Sequence, residues 1–534
     1  MPSQALIALA TVLTGASLVQ AVQPSTEVAA QRGPYIFNAV FDSLRKYGST
    51  VHPNGMSLYL ATVPEGVFFH HGNGQNATPT ALDWLAYEIE HAEIFARTKF
   101  GAPGGGPGGG PGDGGHRSGM MGEMGGAPHH HHGAPIAGKD RSDQIALGSS
   151  GGVNDDEEEG HGWLHIYRTT RPLQFLYIDG MSGNKGSDGV IDTQDYLLRA
   201  EADRPDPTSR PHPTQGPRQP VQPPGPAGEF ARAKDLCELC AEWKLQGVIR
   251  TEGAGTEIIK CDFFDGLEEV QSLQRSDNAK RGGPGGGPGG RPGRGGPGGS
   301  GPGGGPGGRR PGGPGGPPRG FSGPFNPENS FRDVGAHRTV LDYQSMVSAF
   351  FFPVNLTNPD DKRASFPRLI SASNDELVAI KTYLADVVEA RRAATLAPYN
   401  WRDVADLVVR RYAPRLTALA NSSSESDFSD AVLSMLYVFI DYSVTDAAKR
   451  EAEALDRCTQ FYVRTQQPLA TEADKLIYAG FEAVNAKICG TLFGALHTVS
   501  DKDSTDRASA VEAAKESIKA LIAYLDWSVF EKKN

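Results

Sequence analysis

Histidine and glutamate residues that could ligate a metal are concentrated in the first third of the chain. They are His70, His71, Glu90, His91, His161 and His165. Ligands of these types hold the zinc of hydrolases, where the metal activates a bound water. Glu90 and His91, however, are neighbours on a predicted helix and point about 100 degrees apart, so both cannot easily reach one ion. A metal hydrolase is therefore an alternative, and we assign no metal site.

A glycine-rich segment, Gly180 to Ser187, and the stretch that overlaps it partly match the patterns of a phosphate-binding loop and a calcium-binding loop. It ends in Lys-Gly-Ser, whereas a phosphate-binding loop needs Gly-Lys-Ser to place its ammonium group on the phosphates. The overlapping stretch from Asn184 to Asp195 has the spacing of a calcium loop, but Asn184 and Gly186 replace two ligating acids. We assign neither phosphate nor calcium binding to this segment.

The five cysteines suggest two disulfides and one unpaired thiol. Cys237 and Cys240 lie on one predicted helix, and either could pair with Cys261 on the following strand. We favour Cys237. Cys458 and Cys489 lie on the apolar faces of two consecutive predicted helices, which favours a second disulfide. A redox or zinc role for the Cys237–Cys240 pair is the alternative.

The N-terminus and three sequons predict a secreted glycoprotein. Residues 1–21 contain an apolar run that ends with small residues at both positions of a cleavage site, as in a signal peptide. The sequons begin at Asn76, Asn355 and Asn421, each in a turn-like context. We therefore expect a secreted, extracellular protein with an extracellular partner that the sequence does not name.

Glycine and proline account for 67 and 39 of the 534 residues, and they are concentrated in three low-complexity tracts. These lie at about 101–160, 202–228 and 278–324, and their composition favours disorder. The first contains a histidine cluster and the third is studded with arginine. The formal net charge of −11 argues against nucleic-acid binding, and no 18-residue apolar stretch predicts a membrane span.

Outside these tracts the sequence consists of two blocks. Their patterns together predict an α+β protein. Residues 33–275 read as a mixed domain with a small, possibly split sheet and disordered insertions, and 278–324 as a disordered linker. Residues 325–534 read as an all-α bundle, because apolar residues recur every three and four positions. Ser373 with Glu376 forms a capping box, and Asn400 caps the next helix.

Several short motifs of the mixed domain resemble the core of the ADP-ribosyltransferase-like fold. They are His70-His71-Gly72 at a strand end, Trp84 to Tyr87 leading into a helix, Leu164 to Ile178, and Gly255 to Ile259 with Glu257. The resemblance implies a nicotinamide dinucleotide site. His71 would hold a ribose hydroxyl, Tyr87 or Trp84 would stack on nicotinamide, and Glu257 would polarise the ribose during glycosidic cleavage.

The chain departs from that pattern at Asn73, where a hydroxyl residue is usual after His-Gly, and at Gly255, where a second acid or glutamine is usual. These departures favour an extracellular binding or interaction role on a transferase-like scaffold. The enzymatic alternative is an NAD glycohydrolase or ADP-ribosyltransferase that uses NAD as its cofactor. As a whole, the chain also resembles secreted proteins of filamentous fungi.

Overall fold

The structure is a computed structural model, and it describes residues 22–96, 162–199, 226–275 and 335–531. Within these ranges, residues 187, 254, 336, 396–399, 465–468 and 501–506 are left out. The expected signal peptide, the tract at 101–160, the linker at 278–324 and most of the tract at 202–228 lie outside the described residues, as does His161.

The N-terminal part is a mixed α/β region with two small sheets. The strands are β1 (Ser57–Val63), β2 (Phe68–Asn73), β3 (Asp83–Leu85), β4 (Trp163–Thr169), β5 (Leu173–Ile178), β6 (Gly247–Glu252), β7 (Gly255–Lys260), β8 (Leu267–Gln274) and β9 (Val340–Ser348). The larger sheet has the order β3-β7-β6-β5-β1-β9, and the smaller one has the order β2-β4-β8. In the larger sheet β5 and β6 are parallel, while the other adjacent pairs are antiparallel.

An isolated backbone bridge joins the two sheets. The backbone of His70 in β2 exchanges two hydrogen bonds with the backbone of Ala86, just after β3, at 2.8 and 2.9 Å. This bridge brings the end of β2 against the edge of the larger sheet. Residues from both sheets therefore face one another at this corner.

Short helices flank the sheets, and a longer helix follows the second tract. They are α1 (Thr26–Gln31), α2 (Gly33–Phe41), α3 (Lys46–Val51), α4 (Ile89–Glu93) and α5 (Pro226–Trp243). Ser25 caps α1 by accepting a hydrogen bond from the backbone of Val28. The segment predicted as a helix or as a strand running into one, Thr80 to Lys99, contains β3 followed by α4.

The C-terminal part is helical, as its apolar periodicity predicts. Its helices are α6 (Asn374–Arg391), α7 (Trp401–Ala420), α8 (Glu425–Leu436), α9 (Ala447–Gln460), α10 (Glu472–Ser500) and α11 (Arg507–Leu525). The capping box of Ser373 and Glu376 is present, and Asn400 caps α7. Pro414 lies inside α7, which continues past it.

The two parts share one core, so the boundary near residue 325 does not separate two cores. Strand β9 follows that boundary and pairs with β1 in the N-terminal sheet. Conversely, helices α1 and α2 of the N-terminal part pack on α10 of the C-terminal part. At this contact the backbone oxygen of Gly480 lies 2.7 Å from the position that a Cβ of Gly33 would take. One continuous cluster of buried apolar residues spans both parts.

Two disulfides fasten helices to their neighbours. Cys237 of α5 is bonded to Cys261, the residue after β7, with Cα atoms 5.4 Å apart. Cys458 of α9 is bonded to Cys489 of α10. The fifth cysteine, Cys240, is a buried free thiol, and burial raises its pKa to about 12. The thiol is therefore protonated and unreactive at neutral pH.

Candidate functional site

A small cavity of about 20 Å³ lies at the corner where the two sheets meet. Its walls come from the end of β2, from β3, from α4 and from β7. Its polar lining consists of His70, His71, Asp83, Trp84, His91 and Glu257. Three of the four residues to which the resemblance gives a role, His71, Trp84 and Glu257, therefore line one cavity although they belong to two different sheets.

Gly72 allows α4 to come close enough to β2 to form this cavity. A Cβ at Gly72 would lie 2.1 Å from the carbonyl oxygen of Ala92 and 2.6 Å from the backbone nitrogen of Ala96. Both are backbone atoms and cannot rotate away, so a residue with a side chain would push the α4 segment outwards. The glycine of the His-Gly pair thus has a packing role here.

Trp84, one of the lining residues, contains a buried hydrogen-bond donor without a partner. The side chain is 7% exposed, and its indole N–H has no acceptor among the residues that the structure describes. Trp84 pairs with Ile259, two residues from Glu257, so the two side chains share a face of the sheet. A buried donor without a partner costs about 1–3 kcal/mol, a cost that a ligand carrying an acceptor would remove.

Glu257 has both carboxylate oxygens occupied by cations. One oxygen accepts from Arg250 and the other from Lys185, and Glu257 and Arg250 are almost wholly buried. Burial raises the pKa of Glu257 above its ordinary value, although the two cations work to lower it. The carboxylate is thus held in place by protein groups and faces the cavity already paired.

His91 of α4 is a cation, because both of its ring nitrogens face acceptors. Nδ1 donates to the carbonyl oxygen of Thr256 at 3.0 Å, and Nε2 lies 2.7 Å from Glu252 Oε1. Burial works to lower the pKa of His91, but the Glu252 carboxylate outweighs it and raises that pKa. Lys185 also lies 3.6 Å from Glu252, which links His91 to the ion pairs of Glu257.

His71 is neutral, and Asn73 fixes its tautomer. Nδ1 donates to the carbonyl oxygen of Trp84 at 2.8 Å, while Nε2 accepts from the Asn73 amide at 3.1 Å. The Asn73 side-chain oxygen accepts from the backbone N–H of Gln75, which sets the orientation of that amide. Burial lowers the pKa of His71, in agreement with the neutral form.

Tyr87 does not line the cavity. Its hydroxyl lies 2.6 Å from Thr339 Oγ1, and the guanidinium of Arg338 covers its ring at 4.5 Å. A Cβ at Gly335 would also touch that ring, at 2.7 Å. The structure thus brings together His71, Trp84 and Glu257 and leaves Tyr87 packed against the segment before β9.

Within the described residues, no group of three or more His, Cys, Asp or Glu is arranged to hold a metal ion. In the segment with calcium-loop spacing, Asp192 pairs with Arg368 at 2.7 Å and Asp195 pairs with Arg232 at 2.7 Å. Lys185, which we considered as a phosphate ligand, instead pairs with Glu257. None of the helices in the described part of the chain combines the length and apolarity that a membrane crossing needs.

Both parts of the chain match domains defined in fungal proteins. Residues 26–281 match the YPL277C N-terminal domain, and residues 400–506 match the YPL277C C-terminal domain. In both parts, the chain is therefore similar to the YPL277C domains. The first match ends just beyond β8 and contains every residue that lines the cavity.

Two proteins of Saccharomyces cerevisiae are similar to the chain. Uncharacterized protein YOR389W is 25% identical over 528 residues, which cover 92% of this chain and 77% of that protein. Uncharacterized protein YPL277C is 25% identical over 414 residues, covering 74% and 77% respectively. No solved structure matches the chain. The resemblance to ADP-ribosyltransferases stays a prediction, since neither the YPL277C family domains nor these proteins carry a name that states an activity.

Proposed function

We propose that the chain is a binding protein that takes a small, flat-ringed ligand in the cavity at the corner of the two sheets. The unpartnered indole N–H of Trp84 carries this proposal, because it is a buried donor in the wall of a cavity. A few polar groups among apolar side chains in a concave site are typical of small-molecule sites. The ligand would supply the acceptor that Trp84 lacks.

The nicotinamide end of NAD is our candidate ligand. Its carboxamide group could enter the cavity, where the oxygen would accept from Trp84. The cavity of about 20 Å³ has room for about one water molecule, so it would take the carboxamide group alone, and the ring and the remainder of a dinucleotide would extend outside.

The pairing of Glu257 favours binding over glycosidic cleavage. A carboxylate that stabilises a developing oxocarbenium ion must face that charge, whereas both oxygens of Glu257 are taken by Arg250 and Lys185. An NAD glycohydrolase or ADP-ribosyltransferase remains the alternative function. It would require one of these two ion pairs to open when the substrate enters.

We also propose that the protein is secreted and N-glycosylated. Asn76, Asn355 and Asn421 are all exposed, as glycan acceptors must be. The two disulfides are consistent with an oxidising compartment. Recovery of the protein from the culture medium, with a mass that falls on glycosidase treatment, would test this part.

Calorimetric titration with NAD and with nicotinamide tests the binding role. We expect both to bind, and Trp84→Phe to weaken them about threefold to tenfold, because it removes one hydrogen bond and keeps an aromatic ring. Trp527→Phe is the matched control, since Trp527 also has a buried N–H without a partner but lies among Phe37 and Phe530. An absence of binding by the wild-type protein would overturn the proposal.

The same samples separate binding from catalysis. Nicotinamide released from NAD is measured over time with the wild-type protein, and no release is expected. Sustained release that depends on protein concentration would replace the binding role with the enzymatic alternative.

A further inference from the structure

Exposed apolar side chains are concentrated on one surface of the C-terminal helical part. Among the described residues, five of the fifteen large apolar side chains that are exposed lie between positions 433 and 461, and we call them the α8–α9 patch. They are Leu433, Tyr437, Val438, Tyr442 and Phe461, with exposed fractions of 41–68%. If a fully exposed large side chain has about 200 Å² of surface, the patch exposes roughly 500 Å². A soluble monomer seldom exposes a larger apolar patch, and one of this size often marks an interaction site.

The turn that follows α8 holds the side chains of the patch close to one another. Leu433 and Tyr437 are four positions apart and lie on one face, where α8 runs into a short 3₁₀ helix. Phe439, at the end of this turn, is buried, and its ring meets that of Phe461 edge to face at 5.4 Å. Arg457 of α9 donates from Nε to the carbonyl oxygen of Phe439 at 2.7 Å. A surface that is already ordered loses little conformational entropy when a partner covers it, which favours association.

Groups of both charges border the patch. Asp430 is exposed on α8, one turn before the patch, and forms no ion pair within the described ranges. The guanidinium of Arg411 lies over the ring of Phe461 at 5.9 Å, and that of Arg450 lies over the ring of Tyr442 at 6.0 Å. Neither guanidinium forms an ion pair with a carboxylate in the part of the chain that the structure describes. The border therefore offers an acid and two cations to a partner that carries the opposite charges.

We propose that the α8–α9 patch is the interface of a homodimer in which two copies of the chain pack about a two-fold axis. Such an axis brings the same surface of both copies together, so Asp430 of each copy faces the cationic border of the other. The patch supplies the apolar centre of the interface, and its charged border supplies the polar rim. A stable interface covers about 800 Å² on each partner, of which the patch provides more than half. This proposal is independent of the cavity at the corner of the sheets.

Sedimentation velocity of the full chain at several concentrations tests the interface. We expect a monomer–dimer equilibrium with a dissociation constant of about 1–10 μM, and Tyr442→Glu should weaken it at least about tenfold by placing a charge in the apolar centre. The Tyr442 side chain is 68% exposed, so the variant should fold, which thermal unfolding followed by circular dichroism checks. Phe264→Glu is the matched control, since Phe264 is also 68% exposed but lies between β7 and β8. It should dimerise as the wild type does.

Asp430→Asn tests the charged border separately. It keeps the size of the side chain and removes its charge, and we expect a dimer about threefold to tenfold weaker at low salt. Glu90→Gln removes an exposed carboxylate on α4, away from the patch, and should leave the dissociation constant unchanged.

Three results would overturn the proposal. A wild-type protein that stays monomeric up to about 100 μM would show that no second copy covers the patch. A dimer that Tyr442→Glu leaves intact, or that Phe264→Glu weakens equally, would have its interface elsewhere. Wild-type affinity in Asp430→Asn would contradict the two-fold pairing of the charged borders.

Discussion

Buried charges of alternating sign extend from the cavity into the protein. Each member contacts the next, and the series contains four acids and four bases: Asp195, Arg232, Glu229, Arg250, Glu257, Lys185, Glu252 and His91. It is neutral as a whole when His91 is protonated. Ionised groups tolerate this degree of burial because each acid lies between cations.

Glu257→Gln should therefore destabilise the fold, because it leaves Arg250 and Lys185 with fewer negative partners. We expect a loss of about 3–5 kcal/mol in the free energy of unfolding, as when one member of a buried ion pair is removed. Urea denaturation followed by circular dichroism measures it, and Glu90→Gln is the exposed control. A loss as small as that of the control would show that the series of ion pairs does not hold the fold.

Sequence reasoning reached part of this site. The resemblance to the ADP-ribosyltransferase-like fold selected His71, Trp84 and Glu257, which line one cavity, and also Tyr87, which does not. Lys185 was missed as a partner of Glu257, because 72 positions separate them and the glycine-rich segment around the lysine suggested phosphate instead. Asn73 was noted for its departure from a pattern, but its control of the His71 tautomer also depends on the contact between His71 and Trp84, which lies outside β2.

At the level of elements, the contact between α4 and β2 shapes the cavity. Helix α4 spans only five residues, Ile89–Glu93, and depends on packing for its position. Because Gly72 has no side chain, the backbone of α4 can pack closely on β2. The ion pair of His91 with Glu252, at 2.7 Å, holds the helix against β6. The position of α4 is thus determined by contacts at two places.

Gly72→Ala should displace α4 and weaken ligand binding. We expect a loss of about 1–3 kcal/mol in stability, the usual cost of forcing an extra methyl group into a packed site, together with faster amide hydrogen exchange in α4.

Gly490→Ala is a contrasting control, since no atom lies within 4 Å of the added methyl group in α10. It should raise stability by about 0.5–1 kcal/mol through helix propensity. Unchanged exchange in α4 of Gly72→Ala would contradict the role given to this glycine.

The secondary structure was predictable where periodicity was strong. Helices α6 and α7 begin after the predicted caps Ser373 and Asn400. Strand β9 was missed, because it lies in a block whose later residues have a helical pattern and its partner β1 is almost 280 positions earlier. Pairing over such a separation leaves no local signal.

Over the whole molecule, the two ends of the described chain are held together by polar contacts. His52, after α3, lies 2.7 Å from Asp42 and 3.2 Å from Asp526, near the C-terminal end of the described residues. Ser528 donates to the other oxygen of Asp42 at 2.7 Å. Burial opposes the charge on His52, but Asp42 and Asp526 outweigh it and raise the pKa of His52 to about 10.

The contribution of His52 to stability should depend on pH in a defined direction. Because the folded pKa exceeds the ordinary value of 6.5, the contribution is complete below about pH 6.5 and is lost as the pH rises towards about 10. We expect the free energy of unfolding at pH 6 to be about 1–2 kcal/mol higher for wild type than for His52→Gln. The difference is modest because Asp526 is half exposed and solvent partly screens its charge.

The measurement is the difference in free energy of unfolding between the two proteins at several pH values. That difference should shrink steadily between pH 7 and pH 10. A difference that stays constant over this interval would mean that His52 is not charged in the folded protein.

Strand β9 determines how the protein can be divided for expression. A fragment that stopped at residue 275 would lack β9 and would leave the outer edge of β1 without its hydrogen-bonding partner. An apolar strand with an open edge recruits strands from other molecules, so such a fragment would aggregate. The smallest soluble unit is consequently one that retains residues on both sides of the glycine- and proline-rich stretch.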